Sequence, residues 1–458
     1  MRGPAMRRPD PGLGLPEDVT ERLRVALLDE AEPRACDDMP DSACRVVPGN
    51  AGWNVVSGAA SKLGEQLASP GTVLPWVLAT VGAPAALVGL LVPVKDAGSL
   101  LPQLAVAGAL RARPRRAPWW VGAATVQTGA LAAMAAAVAF LSGAVAGAAI
   151  VVALAVFSAA SGVGSVAFKD VMAKTVPKGG RGRVLAWRST IGGVLGVAAG
   201  LTLRFTVADA EARWPYVALL VGATACFAAA AASFARIREH AGATRGGRNA
   251  LQEARAGVRL LREQPGFRAF VGARALLLAV PLSTPFLTLF GRQEVDASLG
   301  GLGVFVAANA LAASLASPAW GRYADLAAHR TMAVGAAVAL TAVAWAFGVT
   351  LLPEDSRTAL AYVPTYLLAG VGYAGVRLGR KTYLVDAPPA DQRPSYVAIA
   401  NTSIGAATLL GAAIGVSAGV LGVGGTLLVF AALTVAGGIA AWRLPPASEM
   451  HVPRGANA

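Results

Sequence analysis

Twelve apolar stretches, divided by short connections whose basic residues gather on every second connection, leave this chain one class of fold. About 20 apolar residues in helical form cross the hydrocarbon core of a bilayer. In lipid a helix is the single-segment solution, because it satisfies its backbone hydrogen bonds internally. The stretches fall near 71–93, 97–112, 119–141, 144–167, 184–206, 214–235, 267–290, 299–320, 332–352, 359–378, 395–418 and 421–442. The expected fold is an all-α membrane protein of twelve transmembrane helices arranged as two six-helix, pseudo-symmetric halves. Small residues on these stretches, such as Gly192, Gly193, Gly196 and Gly200, let helix backbones approach closely.

The charge pattern sets the orientation. Of 458 residues only 14% are charged and 55% are hydrophobic, against roughly 25% charged in soluble domains. The formal net charge is +14. A basic chain of this size invites comparison with nucleic-acid binders, but no base-reading motif or aromatic platform is visible, and nucleic acid is not an expected partner. Arg111, Arg113, Arg115 and Arg116 follow the second stretch, and a basic segment at 169–188 follows the fourth. Basic connections stay in the cytoplasm, where anionic lipid attracts them. Both termini are therefore expected in the cytoplasm, with the bilayer itself as a partner.

Residues 1–66 read as a cytoplasmic tail with amphipathic helices near 17–30 and 53–67 and no cleavable signal peptide; it carries 8 basic and 11 acidic residues. Cys36 and Cys44 lie in this tail, reduced and two ligands short of a metal site. Residues 67–235 form the first six-helix half, and 236–266 a central cytoplasmic loop with an amphipathic helix near 251–261. Residues 267–443 form the second half, and 444–458 a cytoplasmic tail. At an offset of 212, Lys169, Pro177, Arg181, Thr190 and Gly193 coincide with Lys381, Pro389, Arg393, Thr402 and Gly405. Internal duplication explains this register, and repeated six-helix halves are a transporter architecture.

With these features the chain resembles the major facilitator superfamily over about residues 68–443. The resemblance rests on the two-half pattern and on a motif after span 8, Gly321-Arg-Tyr-Ala-Asp325-Leu-Ala-Ala-His329-Arg330. In that superfamily a Gly-x-x-x-Asp element followed by basic residues latches the cytoplasmic side; it is a gate and not a substrate site. The resemblance thus implies gate roles for Gly321, Asp325 and Arg330. Ala328 replaces the usual second Gly, and the first-half copy, 108–116, keeps the basic run without the Asp. The segments 93–104 and 377–393 look like a bacterial permease-type branch of unassigned substrate, which implies the inner membrane.

Candidate transport residues are few, because ionisable groups are costly in the membrane and serve function where they occur. No Asp or Glu falls in the middle of a stretch. Asp96, beside Lys95, sits in the expected tight turn between spans 1 and 2. It is either a wetted outer turn or a Lys–Asp pair that forms and breaks during coupling. Gln103 lies below it. Arg274 is two turns into span 7 and suits either an anionic substrate group or a gate contact. Gln127, Asn309 and Asn401 are further cavity candidates, with helix-to-helix hydrogen bonding as their alternative. Tyr366 and Tyr373, seven residues apart, suit core packing. Arg377, Arg380 and Lys381 follow span 10, mirrored by Lys169, Asp170 and Lys174. Either they pair between the halves at the cytoplasmic mouth, or they are positive-inside charge alone.

No nucleotide-binding motif or clustered catalytic set is present, so an enzyme, a cofactor and direct ATP use are not expected. The expected activity is secondary transport by a monomer: proton-coupled export of a small amphipathic or drug-like compound. Uptake of an organic anion or metabolite, and a non-transporting sensor on the same fold, are the alternatives.

Overall fold

A computed structural model describes residues 46–177, 181–206, 212–241, 259–295, 299–388 and 393–450. The amphipathic segment near 17–30, Cys36, Cys44 and most of the 251–261 segment lie outside these residues. The described chain is helical: α1 Val47–Leu67, α2 Val73–Thr80, α3 Ala85–Arg111, α4 Ala117–Phe140, α5 Gly143–Thr175, α6 Arg181–Thr206, α7 Trp214–Phe234, α8 Pro265–Leu276, α9 Ala279–Glu294, α10 Leu299–Val349, α11 Ala359–Asp386, α12 Arg393–Val416 and α13 Ala418–Trp442.

Local chemistry explains where these helices begin and break. Proline occupies the first turn of α1, α4, α7 and α8, where a missing N–H costs nothing. Thr358 caps α11 by accepting from the Ala361 N–H at 3.3 Å. Between α1 and α2 the sequence Ser69-Pro70-Gly71 interrupts the helical ladder. Pro281 stands four residues after Leu277, where its ring crowds that residue's carbonyl, and the path breaks there into α8 and α9. α10 bends at Ala327 (φ −156°, ψ 76°) into two arms.

Among the described residues, ten spans, the α8–α9 path counted as one, are long and apolar enough to cross a membrane. The path α1–α2 and the first arm of α10 complete a twelve-crossing arrangement. The sequence-based register differs from it at the start. The first crossing is α1 and α2, not 71–93, and α1 is part of the first half rather than of a tail ending at 66. Polar residues lower the apparent hydropathy of α1, yet Asn50 and Ser57 among them are buried and partnered. Asn50 donates to the Arg238 carbonyl at 3.1 Å and accepts from its N–H at 2.8 Å. Ser57 donates to the Ala230 carbonyl at 3.0 Å. α1 also lies tightly on α6: a Cβ at Gly192 would fall 2.6 Å from Lys62 Cβ, and Gly196 faces the Gln66 side chain in the same way. The four-residue glycine spacing thus seats α1 on one face of α6.

The helices run between two ends. One, the basic end, carries the α3–α4, α5–α6, α7–α8 and α11–α12 connections and the bend of α10; the other is the far end. The outward surface is apolar, with Val420 91% and Phe140 84% exposed, as lipid contact requires. The largest hydrophobic cluster joins both halves: Trp76, Val77, Leu131 and Phe157 share it with Leu282, Phe286, Phe305 and Phe430. Nearer the basic end the clusters separate. One, around Phe267, Phe270, Tyr383 and Tyr396, belongs to the second half alone. Two others, around Trp120 and Phe234 and around Ala51 and Met172, belong to the first. The two halves therefore share one hydrophobic core toward the far end, whereas nearer the basic end each keeps clusters of its own.

Candidate functional site

Cross-half contacts at the far end are specific. Arg292 of α9 donates to the Trp76 carbonyl at 2.7 Å and to Thr80 Oγ1 at 3.0 Å, and its guanidinium lies 5.1 Å from the Trp76 ring centroid. Thr288 donates to the Gly71 carbonyl at 2.6 Å. The two broken paths, α1–α2 and α8–α9, supply these groups, so each half closes the far end with its short second helix.

Below this seal, charged side chains of the two halves come within electrostatic range of one another. Lys95 and Asp96 are not in a turn. They lie in the unbroken helix α3, ten and eleven residues from its start, or about 15 Å along the axis and thus near mid-bilayer depth. The apolar residues Leu91, Val92, Pro93 and Val94 carry the same helix directly into the pair. Lys95 Nζ is 3.9 Å from Asp96 Oδ1, and the side chains are 43% and 29% exposed. Lys95 also lies in electrostatic range of Glu65 on α1 and of Tyr373 and Arg377 on α11. Lys95 thus stands at the junction of the two halves. Glu65 pairs with Lys62 at 3.4 Å. Sequence reasoning misses Glu65 because α1 scans as tail; the signal is the apolar α2 segment directly beyond it.

The candidates from the second half meet in part. Arg274 of α8 donates from Nη2 to Asn401 Oδ1 of α12 at 3.1 Å. Arg274 is only 6% exposed, and its Nε and Nη1 have no hydrogen-bond partner among the described residues. A pocket at this site is lined by Arg274, Arg380 and Tyr373 with Leu277, Pro281 and Met332. Tyr373 and Tyr366, on one helix, serve differently: Tyr366 stacks on Phe305 at 4.3 Å in the core, whereas Arg377 lies 5.8 Å from the Tyr373 ring.

Other candidates stand apart. Gln103 is turned back onto its own helix, donating to the Ser99 carbonyl at 2.8 Å. Gln127 is buried on α4, which packs chiefly on α5 and α7 of its own half, so it lies away from the junction of the halves. Asn309 lies on α10, and its side chain is outside the described residues. Gly321 has open space around it, Asp325 is exposed, and Arg330 lies 5.5 Å from the Trp442 ring of its own half. This cluster flanks the Ala327 bend without bridging the halves.

At the basic end the first half carries its own ion network. Asp170 pairs with Arg116, and with Lys174 at 2.7 Å. Glu239 pairs with Lys174 at 2.9 Å and accepts from the N–H groups of Arg116 and Ala117, both at 2.7 Å. A buried carboxylate thus caps α4 and neutralises the partial positive charge of its N-terminus. These pairs hold α4, α5 and the segment after α7 together; they do not cross between halves. Across the mouth, Lys381 instead faces like charge, from Arg377, Arg380 and Lys169 of the opposite half.

Comparison with known proteins agrees with this geometry. Residues 276–458 match the Major Facilitator Superfamily. Uncharacterized proteins of Mycobacterium tuberculosis and Mycobacterium bovis are 28% identical over 259 residues, 56% of this chain and 50% of theirs, so the chain spans about half the length of these relatives. Among solved structures, the nucleoside transporter NupG has a TM-score of 0.67 at 11% identity, covering 86% of this chain and 99% of its own. A D-xylose-proton symporter scores 0.62 at 13% identity, covering 87% and 98%. A POT family transporter in complex with a thioalcohol-conjugated peptide scores 0.64 at 11% identity, covering 85% and 94%. The fold is shared with these solved structures, and the match over residues 276–458 agrees with the resemblance read from the sequence.

Proposed function

We propose that this chain is a secondary active transporter that moves a small molecule by rocking its two halves against each other, with protons coupled through Asp96 and Glu65. One observation carries the reading: the halves share a hydrophobic core at one end and keep separate clusters at the other, with ionisable groups of both within electrostatic range of Lys95 between them. Two halves joined in this way suit alternating access. The positive-inside pattern supports a cytoplasmic position for the basic end, in the inner membrane. Lys95 neutralises Asp96 when the carboxylate is ionised; protonation releases Lys95 toward Glu65, and the two carboxylates exchange one partner. The D-xylose-proton symporter and the other transporters that share this fold support a small-molecule cargo.

Outward movement of an amphipathic compound against entering protons is the direction we assign. Uptake of an organic anion is the second reading, and the unpartnered Arg274 donors favour it. Proteoliposome flux tests the function: an imposed pH gradient drives accumulation of a compound from a mixed library, read by mass spectrometry of the lumen. Accumulation that ignores the gradient contradicts the coupling, and no flux of any compound by folded protein contradicts transport.

A further inference from the structure

We infer that a basic groove on the outer face of the first half, at the basic end, is the docking surface for the acidic segment 17–41 of this chain's own N-terminal region. The inference is independent of the transport reading.

The groove is the first ground. Arg113, Pro114 and Arg115 of the α3–α4 connection, Pro118 and Trp119 of α4, and Ala241 beyond α7 line an open hollow of about 650 Å³. Its backbone is held in place: Lys174 donates to the Pro114 carbonyl at 3.2 Å, and Arg116 donates from Nε to the Leu110 carbonyl at 2.9 Å. The carboxylates beside the groove are already engaged. Glu239 is buried against Lys174 and the N–H groups of Arg116 and Ala117, and Asp170 pairs with Arg116 and Lys174. Arg113 and Arg115 are exposed, and their side chains make no ion pair or hydrogen bond among the described residues. Two unpaired guanidiniums beside two prolines and an indole suit a segment that is acidic and amphipathic.

The amino-acid sequence ahead of α1 supplies one, which is the second ground. Segment 17–41 holds nine acidic and three basic residues. Val19, Leu23 and Leu27 recur at four-residue spacing, an apolar stripe in helical form, with Glu17, Asp18, Glu21, Asp29 and Glu30 around it.

The third ground is where this segment joins the fold. α1 begins at Val47. Asn50 exchanges hydrogen bonds with the Arg238 backbone at 3.1 and 2.8 Å, and the Arg236 guanidinium lies 4.6 Å from the Trp53 ring of α1. Three residues of chain, at most about 10 Å, separate Arg238 from Ala241 in the groove. The six residues from Asp41 to Val47 reach up to about 20 Å. Tethered this close, the segment has a high effective concentration at the groove, and a few exposed ion pairs, each weak alone, suffice to dock it. An anionic lipid headgroup also matches two arginines. The chain's own segment is favoured because its charge is attached beside the groove and its apolar stripe matches Pro114, Pro118 and Trp119.

The test uses the full chain, one copy per nanodisc of uncharged lipid, with Cys44→Ala and Cys226→Ala leaving Cys36 for a spin label. The readouts are the mobility of that label and its distance to a second label at Ala241→Cys. The label should be immobilised, with one narrow distance distribution, and about 0.5 M salt should release it. Arg113→Glu with Arg115→Glu, both at exposed positions, should lower the docked-to-free ratio roughly tenfold, the scale of a few exposed ion pairs. Adding Asp29→Lys, Glu30→Lys, Glu32→Lys and Asp41→Lys to that variant should restore docking. A mobile label in the unreversed chain, or mobility indifferent to salt and to the arginine reversal, overturns the inference. An unmoved label together with lost retention of phosphatidylglycerol in the arginine-reversed variant also overturns it and assigns the groove to lipid headgroups.

Discussion

Gly89 of α3 and Gly415 of α12 meet backbone to backbone at the far end: a Cβ on Gly89 would fall 2.3 Å from the Gly415 carbonyl carbon. No flexible side chain can move aside there, so the two halves approach this closely only because both residues are glycine. Gly89→Val should block far-end closure. Overpacking of about 1–3 kcal/mol shifts a two-state equilibrium roughly 5- to 150-fold, and flux should fall accordingly while insertion is unchanged. Labelling of a cysteine placed on α2 with a membrane-impermeant maleimide should rise in the same variant.

Arg292 holds the same end by a different means. Arg292→Ala removes donors to the Trp76 carbonyl and Thr80 and the contact with the Trp76 ring. The closed far end should lose about 1.5–3 kcal/mol, the scale of hydrogen bonds from a charged group. Arg292→Lys should restore part of it. Solvent accessibility at Thr80, followed by hydrogen exchange of the α2 amides, should increase in the order wild type, Lys, Ala.

Glu239 makes a separate, structural prediction. Its carboxylate is buried against Lys174 and two backbone N–H groups at the start of α4. Glu239→Ala leaves these donors and the Lys174 charge without this acceptor and should destabilise the first half by about 3–5 kcal/mol. Thermal unfolding measures it. Glu354→Ala, on an exposed far-end turn, should change stability little.

In the proposed mechanism, Asp96 and Glu65 carry the coupling. Asp96→Asn or Glu65→Gln should abolish the dependence of flux on a pH gradient while the protein still inserts and still exchanges substrate at equal pH. Unchanged gradient dependence in both variants would remove them from the coupling mechanism.

The amino-acid sequence discloses the class of fold because lipid imposes helix length and apolarity on most spans, and positive-inside charge is a count along the chain. It misleads at α1, where Asn50, Asn54 and Ser57 meet partners in the segment after α7, on α6 and on the α7 backbone that only folding brings near. That one shift turns Lys95 and Asp96 from a turn into a mid-helix pair and hides Glu65. The meeting of Arg274 with Asn401 joins positions 127 residues apart; each is a candidate by depth, but helix rotation, which decides their meeting, leaves little trace in spans apolar on every side. Gln127 shows the converse, a polar residue at depth on a helix that packs away from the junction of the halves.

The most direct measurement of the central claim is the distance between the halves at both ends. Spin labels at Arg115 and Arg322 report the basic end, and labels at Phe140 and Leu351 the far end, in a cysteine-free background in nanodiscs. All four positions are exposed. Acidification should shorten the first distance and lengthen the second in the same sample, and Gly89→Val should lengthen the second without acidification. Distances at both ends that stay fixed under every condition, in protein shown to be folded, would contradict the rocking of the two halves.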